Sequence, residues 1–212
     1  KDEWLYNCYI GEVYRVWGKY SEAIPYFTKA SQLIPQDSYS YYKLGWCYEL
    51  SGNDETALEY YNQGIENDPT PRAWIYLMRG EMYQKKGNYE LARSDFNQIL
   101  LIDKIVDDDS CRQYALHFLG HDNYALQWMN RLIEYNPTDP GEYYDKACLC
   151  ARMNLIEESN EALEIAFDKG YRAFAHIEHD DDLDPIRNTS KFKETIAKYN
   201  AIYQNELSQL NL

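Results

Sequence analysis

The chain has 212 residues, 45% of them hydrophobic, with 35 acidic against 21 basic side chains and a formal net charge of -14. That length suffices for a sizeable apolar interior, and a mean hydropathy of -0.69 with no apolar run near the ~18 residues of a bilayer span argues for a soluble chain. The acidic field disfavours nucleic acid and anionic lipid surfaces and favours basic partners.

Five cysteines (Cys8, Cys47, Cys111, Cys148 and Cys150) lack the spacing of a disulfide framework and read as reduced, buried thiols. The chain opens on Lys1 with no apolar leader, which reads as a processed form or a piece of something longer. Compartment stays open, with the cytoplasm favoured slightly over the periplasm.

In chain order, the elements repeat. Ala23 recurs as Ala57, Ala92 and Ala125, at intervals of 34, 35 and 33, while Gly11 recurs as Gly45 and Gly80, and Tyr14 as Tyr48 and Tyr83. Phe27 is followed by Tyr61, Phe96, Met129 and Leu163, and Pro35, Pro69 and Pro137 close units. A fixed period of this size marks a stack of small structural units. Each unit reads as two amphipathic helices joined by a Gly or Asn turn, Trp4 to Trp17 and Ser21 to Ile34 being the first pair. Small residues let the helices approach, and aromatic ones fill the spaces between them.

The first unit, with Ile10-Gly11, Tyr14, Gly18-Lys-Tyr20, Ala23, Phe27, Ala30 and Pro35, resembles a full tetratricopeptide repeat. The second unit (Leu44-Gly45, Tyr48, Gly52, Ala57, Tyr61, Gly64, Pro69) and the third (Gly80, Tyr83, Gly87, Tyr89, Ala92, Phe96) match in the same places. A fourth keeps Gly120, Ala125, Met129, Leu132 and Pro137 behind a weak first helix that follows Asp107 to Ser110. A fifth keeps Tyr143, Ala147, Asn154, Leu163 and Ala166, with Ser159 for the usual alanine and Tyr171 for the closing proline. The resemblance implies an all-α fold: a right-handed superhelix of about five hairpins plus a C-terminal capping helix. Residues 1–212 form one domain in this reading, with repeats at 4–37, 38–71, 73–106, 106–139 and 140–171 and a cap over 172–212.

In the cap, a helix from about Ser190 to Ser208 carries Phe192, Ile196, Tyr199 and Ile202 on one side. The preceding Leu183-Asp-Pro-Ile-Arg187, followed by Phe192, is similar to the ending of many bacterial tetratricopeptide proteins, especially from Bacteroidetes. His176, His179 and Asp180 to Asp182 offer metal-ligand types. Their spacing is not that of a zinc helix, however, and a capping turn with Asp184 or Asn188 ending helices is the expected reading. Asp107 to Asp109 and Asp180 to Asp182 read as solvated loops. Cys148 and Cys150, two apart on a helix, point to different faces and read as core. Cys111 with His117 or His121 shows no third orienting group, so no catalytic set, metal or cofactor is expected.

The resemblance places the binding surface on the first helix of each unit. Its positions carry Cys8, Glu12 and Arg15, then Tyr39, Tyr42, Trp46 and Glu49, then Trp74, Leu77, Glu81 and Gln84, then Tyr114, His117 and Phe118, with Tyr144 extending the row. The Lys and Asn with which some members grip a peptide carboxylate are absent. The implied function is a non-enzymatic scaffold or adaptor whose concave groove holds a protein or peptide, basic or apolar, with Tyr42, Trp46, Trp74 and Tyr114 as anchors. The alternatives are the non-catalytic region of a larger enzyme or of a secretion or assembly factor, a hydrolase built on His176 and His179, and self-association through the end units, where Trp4 and Trp17 stand.

Overall fold

The structure, a computed structural model, describes residues 2–102 and 111–209. The expected acidic loop at Asp107 to Asp109 and the boundary near residue 106 lie outside these. The described residues form thirteen α-helices and one 3-10 turn, in two compact units, Lys1–Leu119 and Gly120–Leu212.

The first unit holds α1 (Asp2–Val16), α2 (Tyr20–Leu33), α3 (Ser38–Leu50), α4 (Asp54–Asn67), α5 (Ala73–Lys85), α6 (Tyr89–Ile102) and α7 (Arg112–Phe118). The pairs α1/α2, α3/α4 and α5/α6 pack as hairpins, and each second helix packs on the next first helix. The helices of a pair approach at the recurring glycine. A Cβ added at Gly80 would lie 2.6 Å from the Phe96 ring, one at Gly11 2.9 Å from Phe27, and one at Gly45 would clash with the Tyr61 ring. The turn inside the second hairpin rests on Gly52 at φ 77°, which lets Asn53 N–H donate to the Tyr48 carbonyl at 2.8 Å while the Asn53 side chain accepts from Thr56 N–H.

Successive hairpins are tied by polar contacts. Asp68 accepts from Ser38 N–H at 2.9 Å and from Thr70 N–H at 2.9 Å, and Ser38 Oγ accepts from Arg72 N–H at 3.0 Å. Burial pushes the Asp68 carboxyl up, but these hydrogen bonds outweigh it and hold the group below its usual range. Arg79 forks onto both oxygens of Asp95 at 2.8 and 2.7 Å and donates to Asn62 at 2.8 Å, joining α5 to α6 and α4.

The second unit holds α8 (Asp122–Tyr135), α9 (Pro140–Arg152), α10 (Ile156–Asp168), α11 (Phe174–His179), the 3-10 turn Asp181–Leu183, α12 (Asp184–Arg187) and α13 (Ser190–Gln209). Ser159, standing where alanine is usual, donates to the Ala147 carbonyl at 2.7 Å, so the extra hydroxyl is satisfied inside the α9/α10 hairpin. The cap closes on α10: Phe192 and Tyr199 are buried against Leu163, Ala166 and Phe167, and Tyr199 Oη donates to Asp168 at 2.6 Å. Arg187 gathers the Ile177 and Asp180 carbonyls at 3.0 and 2.6 Å, with Leu183 and Ile186 wholly buried beneath. As expected, Asn188 ends α12 and Asp184 ends the 3-10 turn, each as the C-cap residue, while the side chain that caps the start of the 3-10 turn is Asp180. It accepts from Asp182 N–H at 3.0 Å, whereas Asp184 already has helical backbone angles.

Candidate binding face

In the first unit the first helices bring most of the expected face residues into one row. Glu12 and Arg15 on α1 form an ion pair at 2.6 Å, and Lys43 on α3 reaches Glu12 at 3.1 Å. The Arg15 guanidinium lies over the Trp46 ring, 3.9 Å from its centroid. Lys43 Nζ lies 5.4, 4.8 and 4.9 Å from the ring centroids of Tyr39, Tyr42 and Trp46, and Tyr42 and Trp46 stack at 6.1 Å. Two cations therefore share one carboxylate beneath an aromatic roof.

Electrostatics follow from that count. Burial pushes the Glu12 carboxyl up, but hydrogen bonds and charge from Arg15 and Lys43 outweigh it and bring it down to about 2. For Lys43 burial wins. Its ammonium is brought down to about 8 despite Glu12, with Arg15 adding repulsion. Lys43 lies outside the α3 positions that the resemblance implies, Tyr39, Tyr42, Trp46 and Glu49. The signal was present in the register, since the same place is Tyr9 in the first repeat and Met78 in the third, making Lys43 a lone charge at an apolar position.

Along the row, Trp4 donates to Ser40 Oγ at 3.2 Å and meets Tyr39 at 6.1 Å. Glu49 accepts from Tyr61 Oη at 2.9 Å. Trp74 lies 6.2 Å from Tyr114, and Phe118 stacks on Phe96 at 4.7 Å with His117 5.5 Å from Phe118. Cys8, Leu77, Tyr42 and Tyr114 are buried, whereas Tyr39, Trp46, Glu49, Trp74, Glu81, Gln84, His117 and Phe118 are part-exposed. Gln84 Oε1 is buried with no hydrogen-bond partner among the described residues, at the edge of a cavity of about 180 Å³ lined also by Tyr89, Arg93, Phe96 and Phe118.

Tyr144 belongs to the second unit. It is buried, stacks on Tyr171 at 4.3 Å and donates to Asp180 at 2.6 Å. Around Asp180 the structure gathers His176 at 3.4 Å and Cys148 at 3.8 Å, and Asp182 pairs with Arg152. Among the described residues, Cys148, Asp180 and Asp182 are the group whose ligand-type atoms lie within 4.8 Å of one another, and His179 does not join them. Tyr144, His176 and Arg152 already meet the two carboxylates. Burial, then the nearby aspartates, raises the Cys148 thiol well above its ordinary range, away from the thiolate a metal or a nucleophile needs.

Helix hairpins in register, with aromatic first-helix faces, define a helical-repeat protein. Two family models, both described as tetratricopeptide repeat, match residues 2–70 and 75–105, so the helix hairpins of the first unit are tetratricopeptide repeats. It is 38% identical over 63 residues to the cell division cycle protein 16 homolog of Homo sapiens, covering 29% of this chain and 10% of that protein. It is 33% identical over 90 residues to the photosystem I assembly protein Ycf3 of Cyanophora paradoxa, covering 38% and 52%. The chain thus matches about half the length of the photosystem relative and a tenth of the cell-division one. Among solved structures it is similar to PilW, a type IV pilus biogenesis factor, at 14% identity and TM-score 0.48 over 100% of both chains. It is also similar to MamA, at 20% identity and TM-score 0.42 over 76% of this chain and 94% of that one. No helix among the described residues is long and apolar enough to cross a membrane.

Proposed function

We propose that the chain is a non-catalytic scaffold or adaptor whose first-helix face binds an extended segment of another protein. The observation that supports this most is the part-exposed row Tyr39, Trp46 and Trp74, whose rings are held in place by Arg15, Arg72 and Tyr114 rather than left to move freely. Rings fixed before binding lose little freedom on contact, which is what makes aromatic anchors effective. The net charge of -14 favours a partner with basic and apolar residues. Because Tyr42 and Tyr114 are buried, they act by supporting Trp46 and Trp74.

An assembly factor is the form of scaffold favoured by the resemblance to a photosystem I assembly protein. The test is affinity capture with the chain as bait, followed by titration of the recovered partner against the wild type and the Trp46→Ala/Trp74→Ala variant. A loss of affinity of tenfold or more with helical content preserved supports the face. Equal affinity for both proteins overturns it.

A further inference from the structure

Independently of the partner face, the second unit holds a cavity of about 290 Å³ bounded by α8, α9 and α10. The repeat register shows what is missing from it. Ser159 stands in the place of Ala92, 67 residues on, so Tyr143, Lys146, Cys150 and Ala162 stand in the places of Tyr76, Arg79, Tyr83 and Asp95. Asn130 stands in the place of Asn62, as Ala125 does in that of Ala57. In the first unit these positions fill their space. Arg79 forks onto Asp95, donates to Asn62 and lies 5.8 and 5.7 Å from the ring centroids of Tyr76 and Tyr83. In the second unit the cation and the amide remain, with Lys146 Nζ donating to Asn130 Oδ1 at 3.0 Å. The carboxylate has become Ala162 and one ring has become Cys150, both buried, and both line the cavity beside Lys146. Among the described residues no carboxylate pairs with Lys146.

We propose that this cavity binds a small carboxylic acid with an aromatic body, its carboxylate on Lys146 and its ring over Cys150 and Ala162. Such a ligand supplies the two groups, a carboxylate and a ring, that the register places here and the sequence leaves out. An ammonium has three protons to donate, and Asn130 takes one of them, which leaves two for a carboxylate. Leu126, Ile133, Leu155 and Ile165 supply apolar walls, while Lys146 and Asn130 fix orientation. That division of labour, at a volume near the lower bound of about 300 Å³, is the one small-molecule sites use. Glu158 and Glu161 also line the cavity from α10 and are exposed, so they oppose a second negative charge and select a monoacid. Burial pushes the Cys150 thiol up to about 11, so it stays neutral and offers packing surface rather than a nucleophile. This face of α9 is not the one that carries Tyr144 and Cys148, so the site stands apart from the cluster at Asp180.

Titration of the isotope-labelled whole chain with 3-phenylpropionate at neutral pH, followed by amide NMR, tests this. Saturable shifts at Cys150 and Ala162 are expected, with a dissociation constant of about 0.1 to 1 mM for a ligand of this size. The neutral isostere 3-phenylpropanamide should bind about tenfold more weakly or worse, since it lacks the charge that Lys146 would meet. Lys146→Gln should weaken the acid by about tenfold at unchanged helical content. Ala162→Asp puts the internal carboxylate back and should abolish acid binding. A tripeptide ending in phenylalanine carries the same carboxylate and ring on a chain end, and tighter binding by it overturns the assignment to a small acid. The absence of saturable shifts overturns the proposal, as does equal affinity for acid and amide or a Lys146→Gln variant that binds as the wild type does.

Discussion

The guanidinium carbon of Arg15 lies 3.9 Å from the centroid of the Trp46 ring, so a part-exposed ring of the proposed binding face is also the lid over a buried charge. Trp46→Ala therefore acts twice. It removes an anchor of the proposed binding face, and it strips Arg15 and Lys43 of an aromatic neighbour. A desolvated cation–π contact contributes about 2 kcal/mol, and a destabilisation of about 2 to 3 kcal/mol in urea unfolding is expected. Trp46→Phe, which keeps a ring, should recover about half of it.

Lys43→Met is expected to stabilise the protein. Lys43 is buried, shares Glu12 with Arg15, and stands where the next repeat has Met78. Burial disfavours the Lys43 charge, and Glu12 keeps its pair with Arg15 when Lys43 is removed, so an apolar side chain of similar length is expected to gain about 1 to 3 kcal/mol. Its pH dependence carries a sign. The folded ammonium releases its proton near 8 and the unfolded one near ~10.4, so the unfolded chain holds more protons between those values. Stability of the wild type therefore rises with pH over that window, and the advantage of Lys43→Met shrinks there. Thermal unfolding at pH 7 and pH 10 reads both effects, and a variant less stable than wild type at pH 7 contradicts the account.

Asp95→Ala is expected to cost about 2 to 4 kcal/mol, because it leaves the half-buried Arg79 guanidinium with Asn62 as its acceptor among the described residues. Arg79→Met/Asp95→Leu removes both charges and should cost far less. The difference between the two variants in chemical denaturation measures the uncompensated charge rather than lost packing.

The hairpins and the covered glycines were legible because both depend on side chains close in sequence or one period apart. Gly11, Gly45 and Gly80 recur against Phe27, Tyr61 and Phe96 sixteen residues on, and the helix pairs follow from that spacing. The row Glu12, Arg15, Trp46 and Trp74 was legible for the same reason. The cluster around Asp180 was not. Its partners Tyr144 and Cys148 lie 36 and 32 residues away on α9, outside any repeat position, and are joined to it by how the cap folds back. Lys43 escaped because periodicity assigns apolar character to its place, whereas the structure fills that place with a charge that Glu12 and three rings accommodate.

Gly45→Ala is the sharpest test of the helix approach. The added methyl would clash with the Tyr61 ring, which is wholly buried and held by its hydrogen bond to Glu49. Glycine within a helix ordinarily loses about 1 kcal/mol relative to alanine, so the substitution at a free helix site would stabilise. Here overpacking reverses the sign, and a loss of about 1 to 3 kcal/mol is expected. Gly45→Ala combined with Tyr61→Leu should recover part of it in urea unfolding.

The second unit should respond to pH in the acid-to-neutral range through Asp145. Burial first, then the charges of Glu142, Asp182, Asp180 and Asp139, push its carboxyl up to about 7. In the unfolded chain the group titrates near ~3.9, so between those values the folded state binds the extra proton. Its contribution is fully present below the unfolded value and is lost as pH rises through about 7, so this unit is expected to be less stable at pH 8 than at pH 5.5. The part of that difference due to Asp145 is on the order of 1 to 2 kcal/mol, since the remaining exposure of the site screens the repulsion. Asp145→Asn holds the neutral form at every pH. The variant should match the wild type below about pH 4, exceed it already at pH 5.5 and exceed it further at pH 8, with hydrogen exchange at α9 and α10 reporting the change. A wild type whose α9 protection is flat from pH 5.5 to 8 would mean that neighbouring cations, Arg152 on Asp182 first among them, already neutralise the cluster.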